Sequence, residues 1–170
     1  MIKIHWEDNM DKSSHLTKHH LLWIMITQIE HIVGQSFSQE LRKIGLTREK
    51  WAVIHELVYL GGESTPYRLS KRFVYEPHSI SALLSRMERE GFILKTKDLA
   101  KKNMVRVSLT DKSRELYPKA IKICQELFKD IMGDIPEEDG IGLLESISRL
   151  RDHSIVSAAK RKNLTPFKYE

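Results

Sequence analysis

The stretch that decides the fold covers residues 65–110 and reads TPYRLSKRFVYEPHSISALLSRMEREGFILKTKDLAKKNMVRVSLT. It contains the pairs Thr65-Pro66 and Glu76-Pro77, and a polar residue followed by proline at the first helical position is a common helix start. After the second pair, apolar residues recur at helical spacing until Gly91, where glycine favours the left-handed turn that ends a helix. The pattern therefore predicts two short helices separated by a turn.

Two segments that predict strands follow, over residues 93–96 and 105–109, and apolar residues alternate cleanly with polar ones in the second. Between them, the sequence KDLAKKN at residues 97–103 predicts an exposed, positively charged turn. Helix, turn, helix and basic hairpin form the layout of a winged helix-turn-helix. The expected fold class is mainly α, an α+β winged helix with a two-stranded wing over about 93–109 and a recognition helix over about 76–90.

The positive charge of the chain is concentrated in this same stretch. Residues 65–110 hold ten lysines and arginines against four acidic residues, a net charge of +6. The segments before and after it carry net charges of −1 and 0, and the whole chain carries +5. Such a concentration is the electrostatic footprint of a nucleic-acid-binding surface.

The flanking segments predict helices with more apolar surface than a small winged domain can cover. A first helix is expected from residue 12 to about residue 37, and two long helices after the wing. We therefore divide the chain into an N-terminal dimerisation helix (1–45), the winged DNA-binding core (46–110), and C-terminal dimerisation helices with a tail (111–170). A two-fold homodimer is the simplest closed arrangement that buries the excess apolar surface.

Composition limits the other classes of protein. With 30% charged residues and no long apolar run, the chain is not expected to span or bind a membrane. The N-terminus lacks the pattern of a secretory signal, and a single cysteine, Cys124, cannot form an internal disulfide. The expected location is the cytoplasm, where thiols stay reduced.

Several short motifs occur in order and at nearly gapless spacing. They are LTxxxWxVI at 46–54, the Gly61-Gly62 turn, LxxRF at 69–73, SISxLxxRMExxGFI at 79–93, and VSLT at 107–110. Over about residues 16–152 the chain resembles MarR-type (multiple antibiotic resistance regulator) transcriptional regulators. The resemblance implies a homodimer that binds pseudo-palindromic operator DNA as a repressor, and a small-molecule effector that releases it.

Two segments depart from the family pattern. Ala82 stands where the family usually has a basic residue. In the wing, Lys101 replaces an acidic residue, and Lys102 and Asn103 replace two arginines. Lysine is a point charge without the planar fork of arginine, so the expected minor-groove contact is weaker here. Asp98 is expected to brace the wing by pairing with a lysine.

The exposed face of the recognition helix is expected to read the major groove, because its small side chains permit close approach and an alanine methyl can pack on a thymine methyl. Its predicted contact residues are His78, Ser79, Ser81, Ala82 and Ser85, with Arg86 on a phosphate or bracing the wing. The alternative is that the serines only cap and solvate the helix. The predicted wing and phosphate contacts are Lys97, Lys101, Lys102, Asn103, Arg68, Lys71 and Arg72, where the alternative is a solvated surface.

An effector pocket is expected near four aromatic residues: Trp23, Trp51, Phe37 and Tyr59. The alternative is that they belong only to the core. No cofactor and no metal site are predicted, since His15, His19 and His20 lack the converging ligands that zinc requires. Cys124 is expected to be a small buried apolar residue.

Enzymatic motifs such as a nucleophile elbow or a glycine-rich phosphate loop are not found in the sequence, so the protein is not expected to be an enzyme. Two alternatives to a DNA-binding regulator remain open. One is a winged-helix module whose basic face binds an acidic protein, and the other is a sensor variant that responds to a metal or to thiol oxidation. The small side chains on the exposed face of the recognition helix favour the DNA-binding interpretation, because they allow the helix to approach a groove closely.

Overall fold

The structure is a computed structural model that describes residues 18–74, 76–98, 104–133 and 135–161. These residues contain six helices and three strands. In chain order they are α1 (Lys18–Lys43), α2 (Arg48–Tyr59), β1 (Glu63–Ser64), α3 (Pro66–Arg72), α4 (Pro77–Arg89), β2 (Ile93–Asp98), β3 (Met104–Leu109), α5 (Asp111–Met132) and α6 (Glu137–Arg161). The predicted fold class, a mainly α winged helix with flanking helices, is confirmed.

Threonines cap three of these helices. Thr47, Thr65 and Thr110 each accept a hydrogen bond from the backbone amide three residues later, at 3.2–3.4 Å. Each bond satisfies one of the amides that a helix start leaves without a partner. The side chain of Glu76 makes no such bond, so only Pro77 carries the local start signal of α4. Gly91, two residues past the end of α4, has φ +76°, the left-handed geometry that glycine adopts at little steric cost.

The wing is the antiparallel pair β2–β3, with Ile93 opposite Leu109 at its base and Asp98 opposite Met104 at its far end. Both strands are slightly longer than predicted. A third strand, β1, joins the other edge of β3 and was not predicted, because two polar residues are too short to show alternation.

The apolar core lies where α2, α3 and α4 pack against the base of the wing and the start of α5. Its fully buried large side chains are Leu41, Leu46, Ile54, Leu57, Leu69, Ile80, Leu84, Met87 and Ile93. Because α4 places one face in this core, its other face is held at the surface in a fixed orientation.

The terminal helices leave much apolar surface uncovered. α1 continues past the predicted end near residue 37 to Lys43, and α5 runs through Pro118 without ending. α1 packs against α5. Trp23 on α1 and Leu144 on α6 remain 64% and 67% exposed, and the same two helices carry further exposed apolar side chains: Met25, Ile29, Ile32, Ile141 and Leu143. Within the part of the chain that the structure describes, none of the helices has the length and apolar character needed to cross a membrane.

Candidate DNA interface and effector cleft

The outer face of α4 carries all the side chains predicted to read the groove. Its inner face is buried through Ile80, Leu83, Leu84 and Met87. The exposed residues of the outer face are the predicted His78, Ser79, Ser81, Ala82, Ser85 and Arg86. Four of these side chains, Ser79, Ser81, Ala82 and Ser85, are small, so the helix presents a surface that a partner can approach closely. Contact of these residues with DNA stays a prediction.

The wing is tied to α4 by one lysine of β2. Lys95 Nζ donates to Ser85 Oγ at 2.9 Å and lies 3.3 Å from Glu88 Oε2. The backbone amide of Lys95 also donates to Glu88 Oε1 at 3.2 Å. These bonds fix the wing relative to the recognition helix, so Ser85 lies at the junction between the two. Glu88 and Lys95 were not predicted as positioning residues, because nothing in their spacing shows that a strand residue meets the last turn of α4.

Arg86 lies on the side of α4 that faces α2. The pKa of Glu90 is lowered by a hydrogen bond from Lys50, and further by the charges of Lys50, Arg86 and Lys112. Arg86 also contributes to the lowered pKa of Glu49 on α2, after the backbone amide of Glu49 and the hydroxyl of Thr47. The two predicted roles of Arg86, a phosphate contact and bracing of the wing, both stay predictions.

The basic residues of α3 divide into two groups. Arg68 is exposed, and Lys71 lies over the ring of Tyr67 at 5.5 Å. Arg72 instead holds α3 to α2, with its Nε 2.6 Å from Glu56 Oε1 and its Nη2 donating to Oε2 at 3.3 Å. Both side chains of this ion pair are largely buried, so the predicted phosphate role gives way to a packing role for Arg72.

The wing residues predicted to contact DNA are described only in part. Lys97 is exposed near the far end of β2. The backbone of Asp98 pairs with Met104. Lys101, Lys102 and Asn103 lie outside the described residues, and so does the side chain of Asp98, so their roles stay predictions.

A cleft of about 480 Å³ lies between α1, α2 and the end of α5. We call it the aromatic cleft, because Phe37, Trp51 and Phe128 line it together with Ile29 and Val33. Its polar lining comes from α1 and α2: Glu30, Arg48, Glu49, His55 and Glu56. Such a mixture of apolar walls and a few polar groups is typical of a small-molecule site.

The four aromatic residues of the predicted effector pocket do not all lie at this cleft, and their role in effector binding stays a prediction. Trp51 and Phe37 line the aromatic cleft. Trp23 does not, since it projects from α1 at 64% exposure, and Tyr59 stands at the far end of α2 under the guanidinium of Arg72, at 5.3 Å. Sequence spacing alone does not distinguish aromatic residues of an exposed helix face or of a helix end from those of a cleft.

Three rings pack together beside the cleft, and two of them, Trp51 and His55, line it. The ring centroids of Trp51 and Tyr117 lie 5.4 Å apart, and that of His55 lies 5.2 Å from Trp51. Tyr117 Oη is hydrogen-bonded to His55 Nδ1 at 3.2 Å. This bond joins α5 to α2 beside the cleft, and neither residue was predicted as part of it.

Solved structures that are similar to this chain share its fold. No family model matches the chain. The organohalide-sensing transcriptional regulator RdhR, solved in a 2,4-dichlorophenol-bound and a ligand-free form, is 44% identical, with 92% of this chain and 93% of that chain covered and TM-scores of 0.79 and 0.78. The chain belongs to the MarR family of transcriptional regulators.

A more distant solved structure shows the same architecture, and a repressor shares part of the sequence. A mutant of MarR from Escherichia coli, complexed with operator DNA, has a TM-score of 0.73 at 15% identity, over 81% of this chain and 99% of that one. The homoprotocatechuate degradative operon repressor of Escherichia coli is 22% identical over 148 residues, 87% of this chain and 97% of its own. The protein is a MarR-like DNA-binding transcriptional regulator, and the relatives it matches are regulators rather than enzymes.

Within the described residues, the structure adds no support for a sensor that responds to a metal or to thiol oxidation. Across the four described ranges, no group of three or more His, Cys, Asp and Glu side chains could hold a metal ion. His19 and His20 are exposed on α1, and His15 lies outside those ranges. Cys124 is half-buried beside the core, and burial raises the pKa of its thiol, which keeps it in the less reactive protonated form.

Proposed function

We propose that this MarR-family regulator is a homodimeric repressor that reads a pseudo-palindromic operator through α4 and the wing and releases it when an aromatic small molecule enters the aromatic cleft. The observation that carries the DNA part is the exposed small-residue face of α4 beside a braced basic wing, in the segment with net charge +6. Small side chains permit close groove approach, and the surrounding cations meet phosphates.

Dimerisation is supported by the uncovered apolar side chains of α1 and α6. Large groups such as Trp23 and Leu144 rarely stay exposed together in a monomer, and an unpaired face of this kind marks an association surface. Pairing the terminal helices about a two-fold axis covers them and presents two copies of α4. We expect the two recognition helices about one DNA turn apart, roughly 34 Å, to meet successive major grooves.

An aromatic effector is supported by the lining of the cleft and by the 2,4-dichlorophenol bound to RdhR. The rings of Phe37, Trp51 and Phe128 provide flat apolar walls, and aromatic rings pack well on such walls. The cleft lies between α1, which carries exposed apolar side chains, and α2, which is part of the winged core. A ligand there touches both parts of the molecule at once.

The wing contact is tested by replacing Lys101 and Lys102 with alanine together. Each phosphate contact releases counterions, so losing one or two contacts flattens the dependence of log K on log salt concentration by about one to two units. Fluorescence anisotropy with a labelled duplex at four salt concentrations measures the slope. Lys119→Ala with Lys122→Ala on the exposed side of α5 is the control, and its slope stays that of the wild type. An unchanged slope for the wing variant removes the wing from the interface.

A further inference from the structure

Ser85 lies near the centre of the outward face of α4. His78, Ser81, Ala82 and Ser85 are spaced i, i+3, i+4 and i+7, so they form one exposed stripe along the helix. The buried residues of α4 lie on the opposite side, against the core. A partner that approaches the outward face of α4 therefore meets the Ser85 hydroxyl.

The Ser85 hydroxyl already serves as an acceptor. Lys95 Nζ donates to its Oγ at 2.9 Å, and an ammonium group has donors only, so the direction of this bond is fixed. Ser85 keeps its own hydroxyl hydrogen for another partner. Within the described ranges of the chain, no protein acceptor takes that hydrogen.

Other helical serines of the chain use their hydroxyls in a different way. Ser36, Ser38, Ser146 and Ser154 each donate to the backbone carbonyl four residues earlier, at 2.7–3.2 Å. This bond is a common one for a serine inside a helix. Ser85 accepts from Lys95 instead, which leaves its hydrogen available to a partner outside the chain.

Glu88 holds Lys95 in this position through two contacts. Its Oε1 accepts from the backbone amide of Lys95 at 3.2 Å, and its Oε2 lies 3.3 Å from Nζ. The side chain of Lys95 is only 21% exposed, whereas Lys97 on the same strand is exposed. Lys95 therefore has little surface for a direct phosphate contact, and its ammonium is directed at Ser85.

We infer that Lys95 makes Ser85 a dedicated hydrogen-bond donor toward DNA, and that Ser85 recognises an acceptor atom there. The inference rests on the proposed DNA contact of α4 and gives one position in it a defined polarity. A hydroxyl that accepts from a cation is also a stronger donor, because hydrogen bonds in a chain polarise one another. Lys95 is a positioning residue, since it acts through Ser85.

The acceptor belongs either to a phosphate or to the edge of a base. In the major groove, the base acceptors are guanine N7 and O6, thymine O4 and adenine N7. The amino groups of cytosine and adenine are donors and do not suit a hydroxyl that has to donate. Both sources share one chemistry, an acceptor atom that faces Ser85.

The test is a double-mutant cycle with the full chain and a duplex enriched from a random-sequence pool. Ser85→Ala weakens binding by about 10-fold, the range of one hydrogen bond to a charged or strongly polarised group. Lys95→Met keeps the aliphatic stem and removes the ammonium. It weakens binding by about 3- to 10-fold alone, but by less than about 2-fold when Ser85→Ala is already present. Fluorescence anisotropy measures each affinity, and circular dichroism melting confirms that each variant is folded.

Two further variants exclude a purely structural role. Lys97→Met removes the same charge from the same strand, and its effect has the same size with and without Ser85→Ala, because Lys97 does not act through Ser85. Ser85→Thr keeps the hydroxyl and stays within about 3-fold of the wild type, the range of a small change in hydrogen-bond geometry. A loss as large as that of Ser85→Ala would show that the hydroxyl is not what matters.

A scrambled duplex distinguishes the two sources of the acceptor. With a phosphate acceptor, Ser85→Ala weakens the enriched and the scrambled duplex by the same factor, since phosphates carry no sequence information. With a base acceptor, the loss is confined to the enriched duplex, and the variant tolerates a change at one base pair that the wild type rejects. Either result supports the donor role.

Equal losses from Lys95→Met with and without Ser85→Ala overturn the inference, because Lys95 then braces the wing or meets phosphates by itself. Unchanged affinity in Ser85→Ala overturns it too. In both cases the proposed regulator stands, provided that the wild type prefers the enriched duplex over the scrambled one. If the wild type shows no such preference, the proposed function fails, and the role of Ser85 fails with it.

Discussion

Replacing Ser81 with glutamate is expected to reduce the affinity for operator DNA by at least about 100-fold, to the level of non-specific binding. Ser81 lies in the middle of the exposed face of α4. A carboxylate there enters the groove between two rows of phosphates and also takes space that the small side chain leaves free. Because the site is exposed and glutamate is a good helix former, the free energy of unfolding changes by less than about 0.5 kcal/mol.

The matched control for this variant is Gln125→Glu on α5. It adds the same charge at an exposed helical position outside the winged core. Anisotropy with a duplex enriched from a random pool should show a loss for Ser81→Glu and less than about 3-fold change for Gln125→Glu, since a distant charge is screened. A similar small loss in both variants would mean that α4 does not enter the groove.

Replacing Leu144 with glutamate is expected to convert the proposed dimer into monomers. The side chain is 67% exposed in one protomer, and a two-fold interface contains it twice. Each copy loses about 1.5–3 kcal/mol of apolar burial and adds a carboxylate that has no partner in an apolar interface. Sedimentation velocity at micromolar concentration measures the change.

Loss of the dimer also weakens operator binding, by about 10²- to 10⁴-fold, because the two half-sites are then bound independently. Tyr59→Glu is the control for oligomeric state. Tyr59 is 70% exposed, but it lies at the end of α2, away from the terminal helices. If Leu144→Glu still sediments as a dimer, the apolar face of α6 serves another contact, and the dimer is built in a different way.

Local chemistry explains which parts of the fold were predictable. The starts of α2, α3 and α5 depend on a threonine that bonds an amide three residues later, and such a bond is visible in the sequence as a residue type at a fixed offset. The buried face of α4 follows from helical spacing in the same way. The strand β1 depends on a partner more than 40 residues away, so no local pattern marks it.

The residues of the candidate sites were predictable only where their position follows from one element. The outer face of α4 is such a case, since exposure follows once the inner face is known. Arg72 looked like its neighbours Arg68 and Lys71, but contact with Glu56 on another helix gives it a different role. The Arg48–Glu30 pair likewise joins two helices, and only the structure brings its partners together.

The measurement that tests the account most directly is selection of binding sites from a random-sequence duplex pool, followed by anisotropy titration of the enriched duplex. We predict convergence on a pseudo-palindrome with half-sites about one helical turn apart, bound by two chains and with steep salt dependence. No convergence, with equal weak binding to enriched and scrambled duplexes, would contradict a sequence-reading regulator. The basic winged surface would then be an interface for an acidic protein.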